Sequence, residues 1–206
     1  GAMDRFEAKT WDWRVTALAR PGAFTERIKL VFIDQQSLDW VNNAMALRWP
    51  WPREVYRPIL EFCRRQGAKA VAFDLLFTEP SSYGVEDDLS FGAAIAETAG
   101  FVNTIFLGHE HGIAAGWPEY LPARMRIAGL NEWLVLPGRA SLIISKAIFP
   151  VPQVATNAAL LGNVEAEPDP DAIFRRMPLF AGFDGRPVPT LGLAAGLAAT
   201  NLPLSI

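Results

Sequence analysis

Two aspartates in this sequence each stand at the end of an apolar run, and an arginine lies between them in the chain. Asp34 follows Ile28-Lys29-Leu30-Val31-Phe32-Ile33, and Asp74 follows Ala68-Lys69-Ala70-Val71-Ala72-Phe73. Arg53 closes the run Trp49-Pro50-Trp51-Pro52-Arg53. If both apolar runs are parallel strands, both carboxylates sit at the C-terminal strand edge, where open α/β sheets bind ligands. Arg53 falls in the first turn of the connecting helix, which faces the same edge. A cation at a helix N-terminus opposes the helix dipole. Arg53 therefore needs an acidic partner, and Asp34 or Asp74 is placed to supply one. Two readings stay open: a structural ion-pair cluster tying strand ends to a helix, or a pocket for a polar ligand or cation.

Other groupings are weaker. Glu79, Asp87 and Asp88 offer oxygen donors for a hard divalent cation, but their spacing matches no calcium-loop signature, and acids at a helix start need no metal. His109-Glu110-His111 presents two imidazoles without an identifiable third ligand, so no zinc site is expected. Pro168-Asp169-Pro170-Asp171, followed by Arg175-Arg176, reads either as a turn whose aspartates bond their own backbone or as a second wall of the Asp34/Asp74 pocket. Asp171 and Arg175 join the candidate ligand-binding residues on the second reading. No Gly-rich nucleotide loop, HExxH, GxSxG or CxxC motif occurs. The one cysteine, Cys63, is mid-helix, and neither histidine has an evident serine partner. No catalytic residue, metal site or cofactor is expected.

Composition narrows the classes further. The chain has 206 residues, half of them hydrophobic and a fifth charged, which is a folding composition rather than a disordered one. Nineteen basic residues against 22 acidic give a net charge of −3, whereas a nucleic-acid binder normally carries a basic excess. One cysteine excludes an intrachain disulfide. Gly1, Ala2 and Met3 read as a cleaved-tag scar, and the chain as a piece excised from a longer protein. The charged stretch from Asp4 to Arg20 lacks the apolar core of a signal peptide. Residues 187–206 carry no charge over the length of a membrane span. Their prolines, Asn201 and small residues favour a buried helix from about Thr190 to Ala199 instead, with Gly192 and Gly196 letting a backbone pack closely.

The elements follow from periodicity and punctuation. Arg5–Ala19 is a helix or extended arm ended by Pro21-Gly22. Residues 28–33 suit a strand buried on both faces. After Pro52, Val55, Ile59, Phe62 and Cys63 fall on one helix face, closed by Gly67. Residues 68–73 form a second strand, which makes a right-handed βαβ unit. A loop from Thr78 to Val85 precedes a helix to about Thr98. Strands follow at 101–107, 160–165 and 174–183, the last turning at Asp184-Gly185. Residues 108–132 are a long loop-like insert, a lid or contact surface. The short apolar segment 140–147 takes no firm assignment. The seven tryptophans, Trp11, Trp13, Trp49 and Trp51 among them, read as core or interface anchors. The sum is an α/β fold: one domain with a mixed, largely parallel central sheet and helices on both faces.

These residues carry a resemblance. Val31-Phe32-Ile33-Asp34 with Ser37-Leu38, then Trp49-Pro50-Trp51-Pro52-Arg53, then the run from Gly67 to Phe77 resemble the second type of CHASE sensory domain (cyclase- and histidine-kinase-associated sensory extracellular). Glu7, Asp12 and Arg14 resemble the opening arm of that family, and Asp87-Asp88 its acidic helix start. Gly162-Asn163-Val164, Asp169 to Arg175 and Met177-Pro178-Leu179 resemble its closing motif. The chain departs from the pattern at Ala172, where the family usually has glycine, and the 108–132 insert matches no family motif. The resemblance implies an extracytoplasmic, periplasmic sensor domain of a bacterial membrane receptor. It implies a transmembrane helix before the domain and several after it, with a histidine kinase, nucleotide cyclase or serine/threonine kinase as effector. A homodimer responding to an unknown small molecule or other signal is expected, without nucleic acid. The rival readings are a metal-assisted hydrolase using Asp34, Asp74 and Asp88, and a structural dimerisation module that senses nothing small.

Overall fold

The computed structural model describes residues 2–122 and 124–200. The chain divides into two compact units, Gly1–Pro50 and Trp51–Ile206.

The first unit holds helix α1 (Ala2–Leu18), a 3₁₀ turn at Thr25–Arg27 and helix α2 (Gln35–Met45). Asp34 caps α2, accepting from the Ser37 backbone N–H at 2.9 Å and from Ser37 Oγ at 2.8 Å. These bonds satisfy orphan donors of the first turn and hold the Asp34 carboxyl below the usual range. At the other end Ala46 takes a left-handed conformation, φ 56°, and its N–H returns to the Asn42 carbonyl. The expected strand at 28–33 is corrected here. The segment is without regular structure, and Phe32 is 74% exposed, with Ile28, Leu30 and Val31 similarly open. β-propensity expresses fit to neighbouring strands rather than a backbone preference, and no ladder among the described residues includes this run.

The second unit is built around β2 (Phe101–Gly108), which is buried nearly throughout. β1 (Val71–Phe73) pairs with it in parallel on one side, Phe73 opposite Asn103. β5 (Leu160–Asn163) pairs in parallel on the other side, Leu161 opposite Asn103. β4 (Lys146–Ile148) runs antiparallel to the second half of β2. Helix α4 (Val85–Ala96) makes the crossover from β1 to β2, so the parallel βαβ unit is β1–α4–β2. A smaller sheet contains β3 (Ile143–Ile144), β6 (Phe180–Phe183) and β7 (Arg186–Pro189). β6 and β7 form a hairpin whose turn residues, Asp184 and Gly185, have φ 49° and 67°. Positive φ at both turn residues matches the right-handed twist of the flanking strands. The strand expected over 174–183 is therefore confined to its last four residues. The unassigned segment 140–147 supplies a 3₁₀ turn, β3 and the start of β4.

Helices cover both faces of the main sheet. On one face Phe91 of α4 packs against Phe73 and Phe101. On the other, Ala194 of helix α7 (Leu191–Thr200) packs with Val102, Leu160 and Met125. The close approach of α7 is set by a different glycine from those expected. Gly192 and Gly196 face open space, whereas a Cβ on Gly162 of β5 would meet Leu191 Cα at 2.5 Å. Leu191 Cα is backbone and the added Cβ is fixed by the Gly162 backbone, so neither can swing aside. Gly162→Ala is expected to lose about 1–3 kcal/mol in urea denaturation; a loss within error would show that α7 has room to shift. The segment from Asn201 to Ile206, including Pro203, lies outside the described residues.

The helix after Pro52 begins as a 3₁₀ turn, Arg53–Tyr56, before α3 (Arg57–Arg65). Its buried residues are Arg53, Tyr56 and Leu60, while Phe62 is exposed. A 3₁₀ turn advances about 120° per residue instead of 100°, so the face read at ordinary helical spacing slips by one position. Gly67 does close the helix, with φ 75°. The 108–132 insert lacks regular elements for most of its length but is pinned: the Ile113 and Ala114 N–H groups donate to the Ala147 carbonyl. Helix α5 (Leu130–Leu134) begins at its end, and α6 (Pro152–Ala155) follows β4.

Candidate functional site

Arg53 is the most heavily engaged of the charged residues singled out from sequence. Its surroundings come from the 3₁₀ turn, the loop after β1 and the start of α4. The Asp87 carboxylate accepts from the backbone N–H groups of Arg53, at 2.8 Å, and Glu54, at 2.9 Å. This caps the 3₁₀ turn. The Arg53 guanidinium pairs with Asp88 and donates to the Glu79 carbonyl. It also lies 5.2 Å from the centroid of the Phe77 ring, a cation–π distance. Ser81 completes the enclosure: its N–H donates to Asp88 at 3.0 Å and its hydroxyl to Asp87. Arg53 is 6% exposed and Asp88 2%. Burial lowers the Arg53 pKa from its ordinary value. Burial also pushes the neighbouring Tyr56 phenol up to about 12, against the pull of the Arg53 charge.

The acidic partner expected for Arg53 is thus corrected. It is Asp88, with Asp87 on the backbone, and not Asp34 or Asp74. Asp74 stands exposed at the end of β1, and Asp34 is engaged in capping α2 within the first unit. In the sequence Asp88 reads as an acid at a helix start or a cation ligand, not as the partner of Arg53; its burial comes from the chain doubling back through residues 79–84. Of the oxygen donors weighed for a cation, Asp87 and Asp88 are occupied by N–H groups and a guanidinium. Among the described residues no group of three or more His, Cys, Asp or Glu side chains is placed to hold a metal ion. His109 faces the Ser141 carbonyl at 3.4 Å instead. The hydrolase reading of Asp34, Asp74 and Asp88 gains no support from this arrangement.

The second charged cluster closes on itself. Arg175, whose side chain is nearly buried, grips Asp171 with two bonds of 2.8 Å and reaches Asp169 at 3.0 Å. Asp171 also accepts from the Ile173 N–H at 3.3 Å, as an aspartate turn does. The Arg175 bonds are the main reason the Asp171 carboxyl falls to about 2. A depressed carboxyl pKa contributes stability above its unfolded value and loses it as pH falls through the folded one. Wild type is therefore expected to lose more thermal stability than Asp171→Asn between the ordinary aspartate range and about pH 2. Parallel melting-temperature curves would refute this. Within the same turn Ala172 has φ 62°, a conformation that costs an L-residue with a Cβ about 1–2 kcal/mol. Part of that is offset by the greater chain entropy of glycine, so Ala172→Gly is expected to gain about 0.5–1 kcal/mol in chemical denaturation. A loss would mean that the methyl group is held by contacts that outweigh the strain.

Both clusters therefore use their charges to fasten chain to chain, and the segments they fasten match the two stretches of sequence with the most distinctive motifs. The family model for the CHASE2 domain matches residues 1–205. The chain belongs to the CHASE2 family. CHASE2 domains are sensory extracellular domains of receptors with cyclase or kinase effectors. No curated protein and no solved structure matches this CHASE2 domain. Among its described residues no helix is long and apolar enough to cross a membrane. At Ala172, where the resemblance implies glycine, the backbone is left-handed, the conformation glycine takes most easily.

Proposed function

We propose that this CHASE2 domain is the signal-input module of a bacterial transmembrane receptor, lying on the periplasmic face of the inner membrane and catalysing nothing itself. The observation that carries this reading is the family match over essentially the whole chain. The self-satisfied charge clusters are in keeping with it, because they leave Arg53, Asp88, Asp171 and Arg175 engaged with one another rather than poised around a reacting atom. The effector would be a histidine kinase, a nucleotide cyclase or a serine/threonine kinase. The receptor would act as a homodimer whose two arrangements are biased by a small molecule or another signal through differential affinity. Fusing alkaline phosphatase, and separately a fluorescent protein that matures only in the cytoplasm, after Ile206 in the parent reading frame tests the placement. Active phosphatase with a dark fluorescent fusion is expected; the reverse pattern would overturn the reading.

A further inference from the structure

We draw no further inference here: the strongest candidate, the outer edge of strand β1, which among the described residues pairs with β2 alone and leaves Ala72 exposed, carries nothing because nothing in the structure shows what covers it.

Discussion

Replacing Asp88 by alanine is expected to cost about 3–5 kcal/mol of folding stability, the range for breaking a buried ion pair from one side. The carboxylate is 2% exposed, accepts from Ser81 and pairs with a guanidinium that is itself shielded from water. Its removal leaves a buried positive charge facing a methyl group. The comparison that isolates this effect is the double variant Arg53→Met, Asp88→Leu. Replacing both charges by apolar groups of similar size is often neutral or stabilising, so the double variant is expected to recover most of the loss. Urea denaturation of wild type, Asp88→Ala and the double variant measures both quantities. A loss below about 1 kcal/mol for Asp88→Ala, the value of an exposed pair, would show that water reaches the site. The same arithmetic bears on receptor experiments: a signalling defect in Arg53→Ala reports on folding before it reports on ligand recognition.

Phe91→Ala is the second large expected loss, again about 3–5 kcal/mol. The ring is fully buried and lies within 5.0–6.3 Å, centroid to centroid, of Phe77, Tyr56, Phe73 and Phe101. No single neighbour can fill the space it leaves, because those rings sit on three separate stretches of chain, around residues 56, 73–77 and 101. Phe91→Leu, which keeps most of the volume, is expected to cost distinctly less; equal losses would point to lost ring geometry rather than a cavity. Phe91 and Asp88 are three residues apart on α4 and share a face. Their effects are not expected to add, since either change loosens the helix that both of them seat.

The parts of the fold that could be read in advance are those whose information is local. The apolar runs at 68–73, 101–107 and 160–165 read as strands, and strands lie there, over 71–73, 101–108 and 160–163. Asp184-Gly185 supplies the two positive-φ residues of a tight hairpin, and the turn falls there. The acids at 86–88 mark the start of α4. What failed was information held elsewhere in the chain. Residues 28–33 have the composition of a buried strand, but a strand is defined by its partners. The helix face after Pro52 slips by one position from the face its spacing predicts, because its first turn is 3₁₀. Arg53 was recognised as a cation needing an acid, but the choice among Asp34, Asp74 and Asp88 depends on how residues 75–84 fold back.

The bare backbone contact between Gly162 and Leu191 gives α7 a particular mechanical character. Most helices rest on a sheet through side chains, whose rotamers act as a compliant layer. Here, at one point, peptide rests on peptide, and packed interiors compress little. A small displacement of β5 at this point would pass into α7 undamped, as tilt or translation of the whole helix rather than as local rearrangement. The missing side chain at Gly162 is what lets β5 and the start of α7 meet backbone to backbone.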